Sequence, residues 1–152
     1  PFMDDELVVI CHPSHPFAAC QAVEPAALKN EKFIAFDPDL PTRQYIDRHF
    51  REHGVILGHT LEFDNIETVK RAVEIEQGIS IVPLASVRSE LEGGSLKAVS
   101  LNPQLRRPIG ILLKRNRPRT PALREFLALL QRERAKFDPN RIPAEPPSQA
   151  QG

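Results

Sequence analysis

The chain has 152 residues, 41% hydrophobic and 26% charged, with twenty basic and twenty acidic side chains. That is the make-up of an ordinary soluble globular protein with one sizeable core or two small lobes. No apolar run approaches the ~20 residues of a bilayer-spanning helix.

The neutral sum hides an asymmetry, since residues 1–103 carry a net −7 and residues 104–152 a net +7. The basic residues surround a strand and line the polar face of a helix, with no aromatic interleaving. They read as solvated surface rather than as a DNA-binding patch. The start, "PFMDDELVVICHP", has no basic region ahead of an apolar stretch, so it is not a signal peptide. It lacks an initiator methionine and begins close to a strand, as a fragment would. Cys11 and Cys20 are the only cysteines, and nothing demands that they bridge, which favours a reducing compartment.

In chain order, "ELVVIC" (6–11) reads as a buried strand, followed by a His/Pro turn and a short helical piece, "EPAALKN". "KFIAF" (32–36) is the next strand. After "FDPDLP", residues 42–53 read as a helix with Tyr45, Ile46 and Phe50 as its apolar stripe and Gly54 just past its end. "HTLEF" (59–63) is a strand, and Asp64 with Glu67 three residues on resembles a capping box. Ile66, Val69 and Val73 make the stripe of the helix that follows, which Gly78 ends. "ISIV" (79–82), "SLKAVSL" (95–101) and "PIGILLKR" (108–115) are further strands. Thr120 and Pro121 start a last helix with Leu123, Phe126, Leu127 and Leu130 on one side. From Asp138 onward the Pro- and Ala-rich composition reads as a disordered tail.

Strands alternating with helices predict an α/β fold with a mainly parallel sheet flanked by helices. Ligands of such sheets bind beyond the carboxyl ends of the strands. That rule selects three turns, Asp37–Arg43, Asp64–Ile66 and Pro83–Ser86, and expects them along one edge. Thr42 and Asn65 offer polar groups near helix starts, where free N–H groups favour a small anion. Asp37, Asp39 and Asp64 would repel a multiply charged one unless paired with Arg43 or turned outward. The ligand is therefore neutral, zwitterionic or monoanionic. Plain helix capping explains the same residue types equally well.

Catalytic and metal patterns are weak by comparison. "CHPSHP" (11–16) groups Cys11, His12 and His15 around two prolines, but no paired ligand set follows, so a turn with incidental histidines is the simpler account. Cys11 ends an apolar strand, where a thiol is inert packing. Glu62 and Asp64 share a strand face, yet capping accounts for Asp64. No nucleophile elbow, Walker-A loop or dinucleotide fingerprint is present, and "EGGSL" (92–96) reads as a tight turn. Neither cofactor nor metal is implied, and no catalytic residue stands out.

Three stretches in order carry a family resemblance: "LVVICHPSHPFA", "EFDNIETVKRAVEIEQGISIVPLASV", and "GSLKAVSL" with "RPIGILLKR" and "TPALREFLALLQ". From Leu7 to Leu130 the sequence resembles the effector-binding domain of LysR-type transcriptional regulators. The resemblance implies two lobes of the periplasmic-binding-protein type II fold, joined by crossing strands, with a small effector between them. On that plan residues 1–16 end the first lobe and cross over, 17–101 form the second lobe, 102–137 return to the first, and 138–152 are tail. The family's "IVP" loop carries over to Pro83 and Ala85, with Leu84 and Ser86 as neighbours. Together with Asp37, Pro38, Thr42, Arg43 and Asn65 these are the candidate ligand-binding residues. The family's helix-turn-helix and most of its first lobe do not appear in this sequence. The resemblance therefore implies a cytoplasmic homo-oligomer, with DNA contacted only through an N-terminal domain and no membrane partner. Two rivals are a solute-binding module of a transport system and a two-lobed biosynthetic enzyme. The first would need an export signal and the second an acid/base or covalent residue in the cleft.

Overall fold

The structure is a computed structural model that describes residues 2–114 and 120–134. Its strands are β1 (Met3–Cys11), β2 (Ala22–Val23), β3 (Phe33–Phe36), β4 (His59–Phe63), β5 (Ser80–Pro83), β6 (Lys97–Leu101) and β7 (Leu105–Ile109). Its α-helices are α1 (Pro41–Glu52), α2 (Ile66–Glu74), α3 (Arg88–Gly93) and α4 (Pro121–Glu133), with 3-10 turns at Pro16–Ala19, Pro25–Asn30 and Leu84–Val87.

β1 is the spine. It pairs antiparallel with β5 (Leu7 opposite Pro83), with β6 (Val9 opposite Val99) and with β7 (Met3 opposite Ile109). β2 runs parallel to β6, and β3 parallel to β4. A parallel bridge from Phe33 to Ile79 joins β3 to the start of β5. Among the described residues six strands thus share one direction and β1 alone opposes them. The parallel expectation holds for the others and misses the reversal of β1, because period and burial do not encode a strand's direction.

Residues Leu7–Cys11 are buried to 1% exposure or less, as a strand with neighbours on both edges and cover on both faces requires. Around them gather Phe33, Ile34, Ile46, Phe50, Val69, Val73, Ile79, Ile81 and Leu96. The stripes of α1 and α2 fall into this core as their spacing predicts.

Several boundaries differ from the sequence expectation. The cap of α2 is Asn65, whose side chain accepts from Glu67 N, not Asp64. α2 ends at Glu74, and the chain turns through Glu76 at φ 60° before Gly78. The last β-segment is Leu105–Ile109 rather than 108–115, and residues 110–114 are not strand. "EGGSL" is the end of α3, with Gly94 in the left-handed conformation as its cap. Thr120 caps α4 as expected, accepting from Leu123 N, but Leu123, Phe126, Leu127 and Leu130 are not buried. The tail from Asp138 lies outside the described residues.

Candidate functional site

The carboxyl ends of β3, β4 and β5 lie at the same end of the sheet, because these strands are parallel. The turns that follow are tied to one another. Asp37 N donates to Phe63 O at 2.9 Å, linking the turn after β3 to the end of β4. The Asp37 carboxylate accepts from Asp39 N at 3.1 Å and so faces its own loop. Pro41 opens α1 at its first turn, with Leu40 as an extended N-cap. Its fixed φ suits that position, where the missing N–H costs nothing.

Arg43 turns inward. It is 6% exposed, with Nη1 donating to Phe36 O at 2.6 Å and to Glu62 at 2.9 Å, and Nε donating to Asp47 at 2.8 Å. Burial opposes its charge, but the hydrogen bonds to Glu62 and Asp47 outweigh that, so its pKa is raised. The guanidinium clamps the last residue of β3 to α1 from behind the rim.

The third turn is held by a buried ammonium. Lys70 Nζ donates to Ser86 O at 3.1 Å and pairs with Glu90 at 2.7 Å and Glu67 at 2.8 Å. Burial pushes its pKa down; the two glutamates outweigh this and raise it. Glu90 answers in kind: burial works against its charge, yet the bond from Lys70 leaves its pKa lowered. Ser86 Oγ donates to Pro83 O at 2.6 Å, closing the 3-10 turn. Within it Leu84 enters the core at 1% exposure, while Ala85 is exposed and Ser86 half-buried.

Of the sequence candidates, the structure thus brings Asp37, Pro38, Thr42, Asn65, Pro83, Ala85 and Ser86 to one rim. Arg43 and Leu84 face the interior beneath it. Asn65 Oδ1 is already taken by Glu67 N at 2.7 Å.

β1 and β7 run on past this rim. Leu7 stands opposite both Pro83, the last residue of β5, and Leu105, so Met3–Glu6 and Arg106–Ile109 pair beyond the carboxyl end of β5. There Arg107 clasps Asp5 through Nε (3.0 Å) and Nη2 (2.9 Å), while its Nη1 donates to Thr42 Oγ1 at 2.9 Å. Tyr45 OH donates to Arg106 O at 2.6 Å, and Ser100 Oγ to Glu6 at 2.8 Å. Asp5 is 3% exposed, and its Oδ1 has no hydrogen-bond partner among the described residues.

Sequence reasoning missed Lys70, Tyr45, Asp5 and Arg107 as polar parts of this region. One signal was available for Lys70, which lies on the α2 face between Ile66 and Val73, where a solvated lysine does not belong. Asp5 and Arg107 meet only through the register of β1 on β7, which no local pattern states.

The remaining candidates are engaged in local structure. His15 Nδ1 accepts from Phe17 N and caps the 3-10 turn, and its Nε2 lies 3.4 Å from Glu31. His12 Nδ1 meets Ser14 Oγ at 2.7 Å and Glu76 at 3.1 Å. Among the described residues no three His, Cys, Asp or Glu side chains are grouped to hold a metal ion. Cys11 and Cys20 are both free; burial, with Cys20 adding, pushes the Cys11 thiol up to about 11, which suits packing and not nucleophilic attack. No described helix is long and apolar enough to cross a membrane.

Comparison with known proteins places this geometry. The profile of the family "LysR substrate binding domain" matches residues 1–135. A RuBisCO operon transcriptional regulator of Acidithiobacillus ferrooxidans is 35% identical over 133 residues, covering 83% of this chain and 42% of the relative. Its namesake in Allochromatium vinosum is 34% identical over 138 residues, covering 90% of this chain and 45% of the relative. The chain thus spans less than half the length of either. Among solved structures, the regulatory domain of Synechocystis CcmR in complex with 2-PG superposes with a TM-score of 0.71 at 26% identity, covering 90% of this chain and 66% of that one. That domain has the periplasmic-binding-protein-like type II fold that the family resemblance implies. The rim of parallel strand ends, the two strands passing beyond it and the profile match lead to one assignment: the chain belongs to the LysR substrate-binding-domain family.

Proposed function

We propose that this chain is the second effector lobe of a LysR-type transcriptional regulator, together with the strands and helix that return to the first lobe. The observation that carries this reading is the pair β1 and β7, which run side by side past the rim where β3, β4 and β5 end. A second lobe reached by those strands would face the rim across a cleft. Residues 1–16 then belong to the crossing, 17–101 to this lobe and 102–137 to the return, with 138–152 as tail.

The effector is a small molecule, neutral, zwitterionic or anionic, with any negative group placed at the rim. The starts of α1 and α2 present helix N-termini to the rim, which favour negative charge. The Asp37 carboxylate, a source of repulsion, is turned into its own loop. Thr42, Asn65, Pro83, Ala85 and Ser86, with Asp37 and Pro38, line the ligand side, while Arg43 and Leu84 shape it from beneath. The role is sensing, not catalysis. A ligand that binds one lobe arrangement more tightly shifts the population toward it and alters DNA contacts made by a preceding domain. The protein works as a cytoplasmic homo-oligomer.

The first ligand to test is 2-PG, which the CcmR regulatory domain holds in its structure. At a hundred times its dissociation constant a ligand stabilises by about 2.7 kcal/mol, readily seen as a thermal shift. Ala85→Arg, at an exposed position, should abolish that shift without lowering the melting temperature of the unliganded protein. A variant that still responds fully would remove the rim as the binding site.

A further inference from the structure

We infer that Arg107 and Tyr45 are positioning residues that fasten α1 to the crossing strand β7, so that a ligand at the start of α1 is felt in the strand leading to the other lobe. The inference deepens the effector-lobe reading and rests on it for the identity of the signal, though not for the mechanical link itself.

Thr42 and Tyr45 are three residues apart and share one face of α1. Both are held by consecutive residues of β7. Consecutive side chains of a strand point to opposite faces, so two neighbours cannot both send side chains to one helix. Here the problem is solved by using one side chain and one backbone carbonyl: Arg107 Nη1 reaches Thr42, and Arg106 O receives the Tyr45 hydroxyl. The same guanidinium holds Asp5 of β1 through its other two nitrogens. Its planar fork therefore joins both crossing strands to the first turn of α1.

Tyr45 also packs on the core cluster that includes Leu105 of β7. Beside that contact, Tyr45, Arg48, His49 and Glu52 of α1 and Leu105 line a groove of about 200 Å³ that opens to solvent. Across this polar edge the hydrogen bonds of Arg107 and Tyr45 tie the first turns of α1 to β7. α1 also begins at the rim turn that follows β3, so its first turn is the part of the lobe that a ligand at the rim would move.

Removing Arg107 outright leaves the Asp5 carboxylate buried without compensation and risks the fold. Arg107→Lys keeps the charge but not the fork, and Tyr45→Phe removes one hydroxyl alone. Hydrogen exchange on the full-length protein without ligand should show the amides of residues 44–47 exchanging roughly three- to tenfold faster in each variant, the range for a lost hydrogen bond. The amides of α2 should keep their wild-type rates, and the double variant should fall short of the product of the single effects. Unchanged rates in α1, or equal acceleration in α2, would overturn the link. A second arm adds 2-PG. If wild-type protein binds it, β7 amides should slow on binding; Tyr45→Phe should keep affinity within about threefold and lose the slowing. Slowing that persists in Tyr45→Phe overturns the inference. No binding to the wild type removes 2-PG as the effector and leaves the ligand-free comparison to decide the link.

Discussion

Lys70 shows how a charged residue can occupy a core stripe. Its side chain is 7% exposed, its charge is balanced by Glu90 at 15% exposure and by exposed Glu67, and its reach to Ser86 O fixes the turn that closes β5. Lys70→Met keeps the stem volume but leaves Glu90 half-enclosed and unpaired, and should cost about 2 kcal/mol in urea unfolding. The pH dependence has a definite sign. Glu90 has a folded pKa below its unfolded one, so its contribution is present above the ordinary carboxylate range and is lost as pH falls through the folded value. Lys70, raised, keeps its contribution until pH climbs past the ordinary lysine range. Stability should therefore fall on acidification below about pH 4, and less steeply in Lys70→Met, where Glu90 has lost the partner that depresses it. Equal acid limbs would mean that the pair does not anchor the turn. Gly78 sets a backbone condition of another kind. At φ 153° a Cβ would collide with the Lys32 carbonyl that receives Ile79 N. Gly78→Ala should destabilise by at least about 1–3 kcal/mol, as strained backbone positions do. A melting temperature equal to wild type would show that this edge of β5 yields easily.

The elements differ in how far sequence revealed them, and the reasons are local. α1 and α2 were legible because each buries one face, and a 3.6-residue period records that directly. The cap of α2 was misplaced by one residue because Asp64 and Asn65 are both good caps, and the choice depends on which backbone is extended. β7 was misread because "PIGILL" looks more like a strand than "LRRPI", whose partner is the equally polar "MDDEL". Polar strands pair where the sheet leaves the core, and hydrophobic pattern cannot report them. Of the candidate site, the rim turns followed from topology alone, whereas the inward turn of Arg43 and Leu84 depends on tertiary packing. The spine makes a clean test of burial at this scale. Ile10→Ala, in a strand with neighbours on both sides, should cost about 2–5 kcal/mol. Ile56→Ala, at 85% exposure in the loop before β4, should change stability by less than about 0.5 kcal/mol. Similar losses at the two positions would put β1 outside the cooperative core.

At the scale of the whole molecule the apolar surface is unevenly distributed. Through β6 the chain buries its large aliphatic side chains in one cluster or packs them partly buried against it, apart from Ile56 and Ile75. Past β7 the pattern changes: Ile111, Leu112 and Leu113 are exposed, Leu112 at 96%, and α4 presents Phe126 and Leu129 to solvent. A helix with a good cap and an apolar stripe folds against something, since propensity alone leaves a helix of this length marginal. On the effector-lobe reading its cover is the first lobe, to which β1 and β7 lead. The 152-residue chain alone should then bind a dye such as ANS, and Leu112→Ser with Phe126→Ser should remove most of that fluorescence. The full-length protein should show little with either sequence. Strong dye binding by the full-length protein, abolished by the same two substitutions, would mean that no first lobe closes over this surface. The crossing strands would then end in solvent, with no cleft for an effector to close.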